Sequence, residues 1–131
     1  MGLHSELPVY KDTYLLVIKI FECTKNFSKE YKYTLGADLK KDSINLLRRI
    51  YKANKSIQKK EWLELFLEEF ELIKIQIRLC VDLKVMPIRV QASLSEILER
   101  IGKQIIGWNR SLLQKPPEFL QAKAVEREHS Y

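Results

Sequence analysis

Apolar residues recur along this chain at helical spacing in four separate runs. In the first, from Val9 to Asn26, Tyr10, Tyr14, Val17 and Phe21 alternate at steps of four and three, and Leu16, Ile20, Cys23 and Phe27 form an adjacent stripe. The pattern predicts an amphipathic helix with a wide buried face and with Lys11, Lys19, Glu22 and Lys25 in solvent. A polar run starting at Ser28 breaks the period. Thr34 can cap a second helix over Leu35–Lys55, whose inner face reads Leu39, Leu46, Ile50 and Ala53, flanked by Ile44, Leu47 and Tyr51. On that helix Lys41, Asn45, Arg48, Lys52 and Lys55 share one stripe and make one side basic.

The third predicted helix runs from Lys59 to Lys84, with Leu63, Phe66, Phe70, Ile73, Ile77 and Cys80 as its core stripe. Beside it lie Trp62, Leu65, Leu72, Leu79 and Leu83, interrupted by Glu69 and Gln76. Such an apolar arc is wider than one bundle core demands, and it predicts a second contact surface. Val85, Met86 and Pro87 break the chain, because proline disfavours helix in the residue before it and starts a new one comfortably. The fourth helix then presents Val90, Leu94, Ile97, Ile101, Ile105, Trp108 and Leu112 on one face and stops at Pro116-Pro117.

Four helices joined by short connections predict an all-α fold, an antiparallel up-down-up-down four-helix bundle. Its expected extent is residues 1–114, with residues 115–131 as a tail that is disordered or holds a short helix near Phe119–Val125. The total of 131 residues suits one core, and four Gly and four Pro are too few for the turns of an all-β fold. Cys23 and Cys80 stand among apolar neighbours and read as free core thiols. The sequence has no signal-peptide pattern and no run near the roughly 20 apolar residues of a membrane span, so a cytoplasmic location is expected.

Catalytic chemistry lacks its usual groups. The only histidines, His4 and His129, fall in the terminal segments, so a Glu-x-x-His di-iron site or a Ser-His or Cys-His nucleophile cannot be assembled in the bundle. There is no CxxC pair and no phosphate-cradling glycine loop. Glu61, Glu64, Glu68, Glu69 and Glu71 occupy the first half of a helix, where acids complement the positive end of the dipole, and read as a solvated face and not a metal cluster. The expectation is a binding protein with no cofactor, no metal and no small-molecule substrate.

Charge is the remaining feature. The formal net charge is +6. On the third helix Lys74 and Arg78 stand one turn apart, and on the fourth Arg89, Arg100, Lys103 and Arg110 share a stripe. Pairs Glu96–Arg100 and Glu99–Lys103 would neutralise two of these, while Arg78, Arg89, Arg110 and the second-helix stripe have no acid four residues before them. The residues themselves leave two readings open, a nucleic-acid-binding surface and an ordinary basic exterior. Gly36, Gly102 and Gly107 read as sites of close backbone approach, and Trp108 as a core anchor.

Three motifs narrow the choice: Pro8-Val9-Tyr10-Lys11, the run Phe27-Ser28-Lys29-Glu30-Tyr31-Lys32-Tyr33-Thr34-Leu35-Gly36, and Ile101-Gly102-Lys103-Gln104-Ile105-Ile106-Gly107-Trp108. In content and order they resemble the accessory variability determinant proteins of diversity-generating retroelements, relatives of the ribosomal-RNA intervening-sequence proteins, over Leu7–Leu113. The resemblance implies a four-helix bundle assembled into a homopentamer. It also implies a basic surface that binds the element's reverse transcriptase together with RNA and DNA, in support of mutagenic retrohoming. The family's basic positions fall on Lys74, Arg78 and Lys103, with Arg110 near its basic C-terminal end. The competing implication is a protein-interaction module of the intervening-sequence branch, with the same bundle and no nucleic-acid role.

Overall fold

The computed structural model describes residues 7–113. These form α1 (Pro8–Thr24), a single-turn α2 (Lys29–Lys32), α3 (Leu35–Lys55), α4 (Lys59–Asp82) and α5 (Ile88–Leu113). The four long helices match the four expected segments in order. The tail expected at 115–131 lies outside the described residues, as do both histidines, His4 and His129. No helix among the described residues is long and apolar enough to cross a membrane.

Each long helix packs against two others. α1 and α4 both touch α3 and α5, which puts α1 and α4 on opposite corners. Two polar cross-links join α3 to α4: Arg49 Nε and Nη2 donate to the two carboxylate oxygens of Glu69 at 3.1 Å each, and Gln76 Nε2 donates to Asp42 Oδ2 at 2.9 Å. Residue numbers rise along α3 as they fall along α4 between these links.

The core stripes of α3 and α4 are those the periodicity predicts. Leu39, Leu46, Ile50 and Ala53 are buried, as are Leu63, Phe66, Phe70, Ile73, Ile77 and Cys80. α1 differs from expectation. Tyr14 and Phe21, expected inside, are exposed, while Thr13 and Thr24 are buried. The buried line therefore runs Val9, Thr13, Leu16, Ile20, Thr24, Phe27, because a threonine on a helix presents a methyl group and can return its hydroxyl to the preceding turn. Thr24 does so, donating to Phe21 O at 3.1 Å.

Local chemistry at the helix ends corrects two further expectations. Thr34 stands before α3 but makes no capping bond; its hydroxyl turns back to Glu30 O and Tyr31 O of α2. α4 stops at Asp82, five residues before Pro87, so proline is not what ends it. Lys84 adopts φ 62°, Lys84 N donates to Val81 O and Val85 N donates to Cys80 O, both at 2.9 Å or less. That pair of bonds is the Schellman closure, which normally places glycine at the left-handed position. Lysine there carries a steric penalty of about 1 kcal/mol. Lys84→Gly should accordingly raise stability by about 0.5–1 kcal/mol, read as a higher urea midpoint at unchanged slope; a lower midpoint would refute this account of the corner.

The glycines are not sites of unusually close approach. A Cβ on Gly36 would meet Phe27 at 3.4 Å and the Tyr31 carbonyl at 3.5 Å, which is ordinary van der Waals contact. On Gly102 it would make ordinary contact with the Phe70 ring, and on Gly107 it would meet nothing within 4 Å, so close approach is not the reason for glycine there.

Candidate functional site

Phe70 and Ile77 on α4 face Leu98 and Gly102 on α5, and between these two helices a groove of about 500 Å³ opens to solvent. Phe70 is buried, and the lack of a side chain at Gly102 leaves its ring as part of the floor. Residues one or two positions round each helix from the floor must then stand on the walls. Those are Glu71, Lys74 and Arg78 from α4 and Glu99, Lys103 and Ile106 from α5, with Gln91 and Ser95 at the end near the α4–α5 connection.

Three of the four candidate binding residues, Lys74, Arg78 and Lys103, therefore share one groove although the chain separates them by up to 29 positions. Arg110 does not line it. It is exposed on the face of α5 that bears Lys103, two turns or about 10 Å further on. Arg89 is exposed in the first turn of α5.

The cations are not bare. Lys74 Nζ lies 2.9 Å from Glu71 Oε2 and 5.2 Å from the Phe70 ring centroid. Arg78 Nε lies 3.9 Å from Asp82 Oδ2, and Lys103 Nζ lies 3.5 Å from Glu99 Oε1. The Arg78 pair runs basic to acidic along the chain, the weaker order on a helix. All six side chains are well exposed, and pairs of this kind hold together by about 0–1 kcal/mol. An incoming phosphate can displace such carboxylates at little cost. The groove thus offers three mobile cations over an aromatic floor.

Glu99–Lys103 forms as expected, but Glu96–Arg100 does not. Arg100 instead reaches α1, where Nε and Nη2 donate to Asp12 Oδ1 at 3.2 and 3.1 Å and Gln104 Nε2 donates to Asp12 Oδ2 at 2.9 Å. The supposed single stripe on α5 is split: Arg100 turns towards α1, and Lys103 towards α4. The acidic run also divides. Glu69 bonds to Arg49, Glu71 to Lys74, and Glu61, Glu64 and Glu68 stay in solvent. Among the described residues no three His, Cys, Asp or Glu side chains are grouped so as to hold a metal ion.

Both thiols are free, with Cys80 buried and Cys23 half-buried. Burial pushes each up to about 11 from 9.0, because the thiolate loses its hydration, which leaves them poor nucleophiles at neutral pH. Trp108 is half-buried and packs against the core.

A family model described as bAvd-like matches residues 9–112, a span that contains the groove and all but the outermost residues of the four long helices. The chain belongs to the bAvd-like family. Membership bears out the resemblance drawn from the three motifs to the accessory variability determinant proteins, and it suggests an accessory role in diversity-generating retroelements. No curated protein matches the chain.

Sequence reasoning found Glu99 as the partner of Lys103 but missed the pairing of Glu71 with Lys74 and the groove's floor. Glu71 carried a signal in its spacing to Lys74, three residues on. The floor of Phe70 and Gly102 had none, since it depends on how α4 meets α5.

Proposed function

We propose that this bAvd-like chain is a non-catalytic accessory protein of a diversity-generating retroelement, acting in the cytoplasm. Its scaffold is an antiparallel up-down-up-down bundle of residues 1–114 with a tail at 115–131. It holds the element's reverse transcriptase together with RNA or DNA, and so supports mutagenic retrohoming. The observation that carries this reading is the convergence of Lys74, Arg78 and Lys103 on one groove in a member of this family. Arg110 extends the same basic face beyond the groove. Contacts to phosphate through flexible cations carry no sequence information, so binding is tolerant of sequence and sensitive to salt.

Assembly is part of the proposal. α1 leaves Tyr14, Leu15, Ile18 and Phe21 exposed, and α4 leaves Leu65, Leu72, Ile75, Leu79 and Leu83 exposed. These two apolar faces sit on opposite corners of the bundle and differ from each other. Unlike faces on opposite sides make a head-to-tail contact, which closes into a ring when the rotation allows. Five subunits is the number implied by the family resemblance.

Replacing Arg78 and Lys103 together by Ala should weaken binding to unrelated RNA and DNA sequences alike, by about tenfold if two phosphate contacts are lost. Replacing Lys19 and Lys25 on α1 should do much less. Equal losses for the two double variants would reduce the groove to ordinary surface charge.

One observation favours the second reading, a protein-interaction module without nucleic acid: every groove cation already has a carboxylate within 4 Å. The neighbourhood of the gene separates the two. A reverse transcriptase and a template–variable repeat pair nearby support the first reading, and their absence supports the second.

A further inference from the structure

The C-terminal half of α3 carries Arg48, Lys52 and Lys55 on its exposed side. Unlike the groove cations, none of the three has a carboxylate within 4 Å among the described residues. The fold does not need them to close the helix. Lys59, from the first turn of α4, already donates to the carbonyls of Ala53, Asn54 and Ser56 at 3.0, 3.0 and 2.8 Å. Positive charge beyond that requirement is surplus on this face.

Aromatic rings are interleaved with the charge. Lys55 Nζ lies 4.8 Å from the Tyr51 ring centroid, and Lys52 Nζ lies 5.9 Å from that of Trp62. The Lys55 ammonium, hydrogen-bonded to Tyr51, draws that hydroxyl below its ordinary pKa. Between α3 and α1 a cleft of about 280 Å³ is lined by Tyr10, Leu47, Arg48, Tyr51 and Lys52. The Tyr10 ring is in turn 6.2 Å from that of Tyr14, which stands outside the cleft. Two tyrosines, a leucine wall and two cations at the rim suit a flat, π-rich group that carries a negative charge beside it.

We propose that this α1–α3 cleft is a second nucleic-acid site, taking an unpaired base of a single strand against Tyr10 and Tyr51 while Arg48, Lys52 and Lys55 hold the flanking phosphates. Bases in a duplex are stacked on their neighbours and cannot enter, so the site selects single strands. It is spatially separate from the α4–α5 groove, because α3 and α5 occupy opposite corners. Its failure and the groove's failure are separable.

The test measures fluorescence anisotropy in the R78A/K103A background, where the groove contributes least. The probes are a labelled oligothymidylate, an abasic strand of equal length, a duplex and polyglutamate. Adding Tyr51→Leu should weaken the oligothymidylate about tenfold, in line with the loss of one stacked base, and leave the abasic strand and the duplex within about twofold. Tyr51→Trp should restore binding. Adding R48A/K52A should weaken both single strands and flatten the logarithmic salt slope by about 1.4 units. Tyr10→Leu repeats the stacking test from the other wall, should Tyr51→Leu fail to fold by circular dichroism. Unchanged oligothymidylate affinity in the leucine variants, an equal loss for the abasic strand, or a tyrosine-dependent preference for polyglutamate would each overturn the proposal.

Discussion

Phe66→Ala should remove about 3–5 kcal/mol of stability, the largest loss expected from any single substitution in this bundle. The side chain is fully buried on α4 and its ring stacks on Phe70, with centroids 5.8 Å apart and planes 23° from parallel. Truncation removes apolar area and leaves a cavity that rigid neighbouring helices can only partly fill. Against a total of about 5–15 kcal/mol for a domain of this kind, much of the margin would be gone. Urea unfolding followed by circular dichroism reads the loss. Phe66→Leu, which keeps most of the volume, should cost much less. Phe70 loses its stacking partner in the alanine variant, and since Phe70 floors the groove, the variant should also bind nucleic acid less well under conditions where it is still folded. A loss below about 1 kcal/mol for Phe66→Ala would mean that this stripe is not the centre of the core.

The second large effect is on assembly. Ile18 on α1 and Leu79 on α4 are 42% and 43% exposed, and each has apolar neighbours before and after it on its face. Burying a glutamate at either position without a partner is costly enough to abolish a contact. If the proposed ring forms, Ile18→Glu and Leu79→Glu should each convert it to a monomer, by light scattering, without changing helicity. Mixing the two variants gives the sharper result. In a head-to-tail ring each variant keeps one intact face, so the mixture should form a heterodimer and stop there. If Leu79→Glu alone disassembled the protein and Ile18→Glu did not, the contact would be a two-fold one through α4 and the ring would be excluded.

How much of this was legible in the sequence depended on whether a residue's role was local. The stripe of α4 was legible because its buried positions are all apolar; that of α3 was legible at Leu39, Leu46, Ile50 and Ala53, and missed Ser43, a polar residue that is buried between the first two. α1 was misread at Tyr14 and Phe21 because Thr13 and Thr24, counted as polar, take the buried places. The two polar residues that interrupt the apolar arc of α4 were visible but unexplained until α3 supplied Arg49 for Glu69 and Asp42 for Gln76. Leu65, Leu72 and Leu79, between them, stay at the surface as the width of the arc suggested.

The candidate site followed the same rule. Lys74 and Arg78 follow from helical spacing and Lys103 from the family motif, but that they share a groove depends on the packing of α4 on α5. Arg100 was assigned to Glu96 by spacing, yet it binds Asp12, which is 88 positions away in the chain and receives a second bond from Gln104. A partner on another helix has no signature in local periodicity.

The claim that matters most is that groove cations meet phosphate, and the salt dependence of binding tests it most directly. The observed constant should be measured for wild type and for R78A/K103A across a range of monovalent salt. Each phosphate neutralised contributes about 0.9 to the logarithmic slope for a duplex and about 0.7 for a single strand. The double variant should therefore give a slope about 1.8 or 1.4 units shallower, respectively, while its melting temperature stays near that of wild type, since exposed ion pairs add little to stability. An unchanged slope with unchanged affinity would show that Arg78 and Lys103 are solvated charges, and the α4–α5 groove would not be a nucleic-acid interface.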